Sequence, residues 1–90
     1  MIMKWERTGK TVGSEGTTIE YRPIGANKIA TACRFSIESR KRHIPHANGS
    51  GTWDHTTYWV LYDGKDIIER YSLSYAKQSA EDLIDDTAGT

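Results

Sequence analysis

Apolar and polar residues alternate through twelve positions between Ile29 and Arg40. Successive side chains of a strand point to opposite faces, so this alternation predicts a strand with one buried face. The apolar row contains Ile29, Thr31, Cys33, Phe35 and Ile37. We therefore expect Phe35 and Ile37 in the core, and Cys33 beside Phe35 as a small buried hydrophobic residue.

The rest of the pattern predicts four more strands and one helix. Segments with strand character cover residues 1–8, 17–22, 53–62 and 65–71. Asp63-Gly64 is a strong hairpin signal, because a type I′ turn needs positive φ at both central residues. Apolar residues then recur at helical spacing from the predicted N-cap Ser72 to Asp85. The fold class is α+β, an antiparallel sheet of four to five strands with one C-terminal helix packed on one face.

Two glycine-containing segments, residues 9–16 and 39–52, are predicted to be loops. The second spans about fourteen residues and contains Pro45 and two glycines, and loops of that length in compact domains are usually functional or disordered. The chain is expected to be a single domain, residues 1–90, with a flexible tail at 86–90.

The fourth strand is apolar on both sides, so one helix cannot cover it completely. One row contains Trp53, Thr57, Trp59 and Leu61, and the other contains Tyr58, Val60 and Tyr62. The helix stripe of Ala and Leu leaves room for the tryptophan row, so we expect the tyrosine row to stay partly exposed. An exposed aromatic row is typical of an interaction surface. The alternative is a strongly coiled small barrel that buries both rows.

The sequence contains no motif for a catalytic, cofactor or metal site, and the protein is predicted not to be an enzyme. Gly9-Lys10-Thr11 lacks the earlier glycine and the following helix of a phosphate-binding loop. His43, His46 and His55 are interpreted as ordinary polar residues, with a metal site as the less favoured alternative. The single cysteine, Cys33, excludes an internal disulfide and fits a reducing compartment. No apolar run approaches 18 residues, so no membrane contact is expected and the predicted location is the cytoplasm.

Charge is balanced overall but unevenly distributed. The chain has twelve basic and twelve acidic residues, whereas a DNA mimic needs a negative balance and a general nucleic-acid binder usually shows a basic excess. Residues 81–86 contain four acidic residues and no basic one. The candidate partner-binding residues are Arg34, Arg40, Lys41, Arg42 and His43 of the basic segment, together with Tyr58 and Tyr62. The basic residues could equally be a solvated loop, or contact nucleic-acid phosphates or an acidic protein surface.

The order Asp63-Gly64-Lys65, a returning strand and the helix that follows Ser72 resembles an arrangement found in small phage-encoded proteins. These include anti-CRISPR proteins and other host-directed inhibitors. The likeness covers residues 56–84 and transfers no site residue. The arm-binding domains of tyrosine-type phage integrases are also similar there, but this chain has few basic residues around the hairpin, and no trailing catalytic domain is expected.

The absence of a catalytic motif, the exposed aromatic row and the uneven charge predict a small non-enzymatic binding protein. With the resemblance, the expectation is a phage-type inhibitor that sterically blocks a host nucleic-acid-handling protein complex in the host cell cytoplasm. The alternative is a small DNA- or RNA-binding accessory protein that uses the basic segment 34–42. A homodimer is a further partner hypothesis, because a second copy could also cover the exposed aromatic row.

Overall fold

The computed structural model describes residues 4–24, 32–45, 49 and 51–88. These residues form five antiparallel strands in the order β1-β2-β3-β4-β5 and one C-terminal helix packed against the sheet. The strands are β1 (Lys4–Gly13), β2 (Gly16–Ile24), β3 (Phe35–Pro45), β4 (Thr52–Tyr62) and β5 (Lys65–Arg70), and the helix is α1 (Leu73–Ala88). The predicted α+β class is confirmed.

The first hairpin is longer and tighter than predicted. Strand β1 continues through the expected loop at 9–16, with a register shift between Arg7 and Gly9, and the turn consists of two residues. Gly16 has φ 146°, and a Cβ built on it would lie 1.9 Å from the Lys41 carbonyl oxygen. No side chain fits there, so this glycine permits the close approach of β2 and β3. The predicted Asp63-Gly64 turn is confirmed, since both residues have positive φ.

The third strand lies further towards the C-terminus than predicted. Strand β3 starts at Phe35 instead of Ile29 and continues to Pro45, pairing with β4 from Phe35↔Tyr62 to Pro45↔Thr52. The expected loop at 39–52 is thus mostly strand, because the neighbouring strands satisfy the backbone of a polar segment whose sequence alone signals a loop. Cys33 is exposed in the turn before β3, and Ala32 is buried there instead. Ile29 and Thr31 lie outside the described residues.

The helix packs on the tyrosine row of β4 and not on the tryptophan row, so the predicted helix-covered face was wrong: Val60 is fully buried, while Tyr58 and Tyr62 stay partly exposed. The register pairs Ile37 with Val60, and directly opposite residues in an antiparallel pair share a face. Val60 is therefore beneath the helix with Ile37, while Trp59 faces the other way beside Glu38. The buried core contains Ala32, Phe35, Ile37, Val60, Ala76, Ala80 and Ile84, with Tyr58 and Tyr62 packed against it.

Two polar contacts fix the helix. The Ser72 hydroxyl accepts a hydrogen bond from the Tyr75 backbone N–H over 3.1 Å, as expected of an N-cap. The indole N–H of Trp5 donates to Glu81 over 3.2 Å and ties α1 to the first strand. The helix continues to Ala88, three residues beyond the predicted end, so the first part of the expected tail is helical. Residues 89–90 lie outside the described residues.

The sheet is much longer than the helix. The molecule extends 51 Å along its longest axis, whereas a helix of 16 residues is about 24 Å long at about 1.5 Å per residue. The helix consequently covers only one end of its face of the sheet. The other end of that face defines the candidate site.

Candidate functional site

A trough lies on the helix side of the sheet, where α1 begins and the sheet continues without it. Its volume is about 430 Å³. The lining residues are Lys10, Thr17, Ile19, Tyr21, Ser39, Lys41, Thr56, Tyr58 and Leu73. We call this surface the helix-side trough.

The sheet register builds the floor of the helix-side trough from two parallel rows of side chains. Lys10, Ile19, Ser39 and Tyr58 are directly opposite one another across β1 to β4. The next row contains Val12, Thr17, Lys41 and Thr56. Threonines and tyrosine suit such a half-buried pleated surface, and their hydroxyls give it a polar lining. Leu73, the first helical residue, forms the boundary with the covered core.

Lys41, at the open end of the trough, lies close to His43 and Asp54 on the same face. Asp54 Oδ1 is 2.6 Å from His43 Nδ1, and Asp54 Oδ2 is 3.3 Å from Lys41 Nζ. The hydrogen bond with His43, followed by that with Lys41, lowers the pKa of Asp54. All three side chains are about half exposed. The charge of Lys41 is therefore balanced by Asp54.

Arg40 lies on the opposite face and is balanced more completely. It donates two hydrogen bonds to Asp66, over 2.7 and 2.9 Å, and two to Glu38 Oε1, over 2.8 and 2.9 Å. Its guanidinium carbon is 5.1 Å from the centre of the Trp59 ring. The hydrogen bond with Asp66 raises the pKa of Arg40, and the Arg40 guanidinium lowers the pKa of Asp66.

Arg34 and Tyr62 form a separate contact at the end of the sheet near the helix. Arg34 Nη1 donates to the Tyr62 hydroxyl over 2.9 Å, and Arg34 Nε is 3.8 Å from Asp63. The Tyr62 hydrogen bond is the main cause that raises the pKa of Arg34. The Tyr62 ring is 5.0 Å from that of Phe35, centre to centre. Tyr62 therefore packs with the core.

Comparison of this chain with known protein families, curated proteins and solved structures finds no match. Within the described residues, no helix has the length and apolar character needed to cross a membrane. The same part of the chain contains no group of three or more His, Cys, Asp or Glu side chains arranged to bind a metal ion.

The structure divides the basic cluster that the sequence treated as one loop. Because β3 continues through these residues, Lys41 and His43 face the helix side, and Arg40 and Arg42 face the other. Of the two candidate tyrosines, Tyr58 lines the helix-side trough and Tyr62 does not. Whether any of these residues contacts a partner stays a prediction.

Sequence reasoning missed the trough residues of β1, β2 and β4, notably Lys10, Thr17 and Thr56. Thr17 and Thr56 lie in segments that were predicted to be strands, whereas Lys10 lies in the segment 9–16 that was predicted to be a loop. The missing information was the register, which determines which alternating rows meet across four strands. Asp54 was missed as the partner of Lys41 for the same reason.

Proposed function

We propose that this protein is a small non-enzymatic binding protein that holds the surface of another protein in the helix-side trough. The observation that carries the proposal is the half-covered sheet face, since a 16-residue helix leaves two complete side-chain rows beyond its first turn. Those rows offer hydroxyls, the Tyr58 ring and the ammonium group of Lys10. This chemistry suits a polar protein surface that carries carboxylates.

The charge pairing supports a protein partner over a nucleic acid. Among the basic residues first expected to contact phosphates, Arg40 is paired with Glu38 and Asp66, and Lys41 with Asp54. A protein gains affinity for a nucleic acid when its cations replace the counterions on the phosphates. Cations already paired with carboxylates contribute less to that exchange, because the carboxylates repel the phosphates.

The finer proposal is a phage-type, anti-CRISPR-like inhibitor that sterically blocks a host nucleic-acid-handling complex. It rests on the resemblance of residues 56–84 described above. A second candidate function is binding of DNA or RNA through the basic segment 34–42. The observation that favours this second candidate is Arg42, which forms no ion pair with any described carboxylate.

Two adjacent threonines of β4 provide a matched test. Thr56 lines the helix-side trough, whereas Thr57 faces the other side and accepts a hydrogen bond from the Trp59 indole. Both are half-buried. A Thr56→Arg variant places a long cation in the trough, and Thr57→Arg places it on the opposite face.

The experiment is quantitative affinity capture from a lysate of the native host, with light scattering of the purified protein beside it. We expect a protein retained by the wild type and by Thr57→Arg, and lost with Thr56→Arg, while both variants keep the wild-type circular dichroism. Equal capture by both folded variants would contradict the trough as the binding surface. A dimer that Thr56→Arg dissociates would show that the occupant is a second copy.

A further inference from the structure

A second hollow lies on the other face of the sheet, at the tip of the β1–β2 hairpin. Its volume is about 270 Å³. The hydroxyl-bearing residues Thr11, Ser14 and Thr18 line it together with Arg42. We call it the hairpin hollow. It lies on the opposite side of the sheet from the helix-side trough.

Arg42 is held in a fixed orientation at this hollow. Its Nη1 group donates to the carbonyl oxygens of Thr17 and Lys41 over 3.3 and 3.1 Å, and Nη2 donates to the Thr18 hydroxyl over 3.1 Å. A guanidinium has five N–H donors. The Nε–H and one Nη2–H of Arg42 therefore have no acceptor among the described residues. The Nε–H and an Nη2–H of a guanidinium lie along one edge, and such an edge can bind an oxyanion through two hydrogen bonds.

Arg42 differs from Arg22 and Arg40 on this face in the partners of its guanidinium group. Arg22 is paired with Glu20, and Arg40 with Glu38 and Asp66, whereas all three acceptors of Arg42 are neutral. A half-buried cation with neutral partners is electrostatically ready for an anion.

The hairpin that forms the hollow is anchored to β3. The backbone N–H of His43 donates to the Glu15 carbonyl over 3.0 Å, and Gly16 is packed so closely on Lys41 that a Cβ cannot fit. Ser14 is thus presented on a fixed turn, while Thr11 and Thr18 lie in the paired strands β1 and β2. The Thr18 hydroxyl, which accepts from Arg42, keeps its own hydrogen to donate.

We infer that the hairpin hollow binds a single phosphate group of the monoester class. Arg42 would hold two oxygens, and the surrounding hydroxyls would donate to the others. Glu15 also lines the hollow, and Glu38 and Asp66 lie further along the same face. These acids would repel a continuous polyanion such as a nucleic-acid backbone, so an isolated terminal phosphate fits better.

The test is a titration of the ¹⁵N-labelled protein, followed by NMR at constant ionic strength and about pH 7.5, above the second phosphate pKa of about 6. The probes are inorganic phosphate, phenyl phosphate as a monoester, dimethyl phosphate as a diester and acetate as a carboxylate. We expect saturable shifts at residues 14–16 and at the Arg42 Nε–H with the first two probes, with a Kd on the order of 1 mM.

Matched variants separate binding from structural effects. Arg42→Gln should weaken phosphate binding about tenfold to a hundredfold, while Arg22→Gln, which changes an arginine already paired with Glu20, should leave it unchanged. Ser14→Ala leaves every acceptor of Arg42 in place and should weaken binding about twofold to tenfold. Glu15→Gln should tighten it, because a like charge is removed.

Non-saturating shifts spread over many cations would overturn the inference, and so would equal loss in Arg22→Gln and Arg42→Gln. Dimethyl phosphate binding as tightly as phenyl phosphate would assign the hollow to a phosphodiester, and acetate binding as tightly would assign it to a carboxylate. Either result would overturn the monoester assignment. If Arg42→Gln unfolds the protein, the Ser14→Ala and Glu15→Gln results decide, since neither change touches the Arg42 contacts.

Discussion

Arg40 and Asp66 form two parallel hydrogen bonds, Nη1 to Oδ2 over 2.9 Å and Nη2 to Oδ1 over 2.7 Å. Arg40 belongs to β3 and Asp66 to β5, so the pair bridges the intervening strand β4 and passes near Trp59. The Arg40 side chain is 21% exposed. A cation first expected to be available to a partner is therefore part of the framework of the sheet.

Removal of this guanidinium should destabilise the fold. Arg40→Gln leaves the carboxylates of Glu38 and Asp66 without their cation, and we expect the free energy of unfolding to fall by about 1–3 kcal/mol. Arg22→Gln is the matched control, because its ion pair with Glu20 is on the same face but its side chain is 47% exposed. That change should cost less than about 1 kcal/mol. Equal losses in urea denaturation would contradict the framework role of Arg40.

The same ion pair should make the free energy of unfolding depend on pH in the acid range. Since Arg40 lowers the folded-state pKa of Asp66, the pair stabilises the protein above the ordinary carboxyl pKa of about 3.9. That contribution is lost as the pH falls through the lower folded-state value. Urea midpoints measured from neutral pH to about pH 2.5 should decrease less steeply for Asp66→Asn than for the wild type. Parallel curves would show that the Asp66 pKa is not lowered.

Gly16 should be intolerant of a side chain, whereas Gly13 should accept one. Gly16→Ala puts a methyl group into the Lys41 carbonyl at a φ that alanine rarely adopts, so we expect a loss of about 2 kcal/mol or more. At Gly13 the nearest atom to a new Cβ is 4.0 Å away. Gly13→Ala is therefore the control, and similar melting temperatures for the two variants would contradict the close β2–β3 approach.

A substitution at Ile37, which is fully buried, tests which face of the sheet forms the core. Ile37→Ala should reduce the free energy of unfolding by about 2–5 kcal/mol, because a cavity forms beneath the helix. Val12 is 70% exposed on the same face of the sheet beyond the helix, so Val12→Ala should stay within about 0.5 kcal/mol. A loss below about 0.5 kcal/mol for Ile37→Ala would show that the wrong face was assigned to the core.

Local patterns were sufficient for the fold class. The Asp63-Gly64 turn, the Ser72 cap and the core positions Phe35 and Ile37 all depend on near neighbours in sequence, and all are confirmed. The expected burial of Cys33 failed, because the alternation before Phe35 passes through a turn at residues 32–34 and not through a strand.

Long-range register could not be predicted, and it controls the site. Trp59 and Val60 both suit a core, so β4 alone does not show which row the helix covers. Pairing of Ile37 with Val60 selects the tyrosine row. The same pairing extends β3 to Pro45. The basic residues that were predicted to lie in a loop therefore lie in a strand, and their side chains alternate between its two faces. The ion pairs of Arg40 and Lys41 follow from that arrangement.

The central claim is that this protein binds a protein surface and that Arg40 and Lys41 of its basic segment are neutralised by carboxylates of the same chain. It is tested most directly by anisotropy titration of short single-stranded and duplex oligonucleotides at about 50 and 200 mM salt. We predict no saturable binding at micromolar protein concentrations at either salt. Micromolar or tighter binding with a steep salt dependence, lost in Lys41→Gln and Arg42→Gln but kept in Arg22→Gln, would contradict the account.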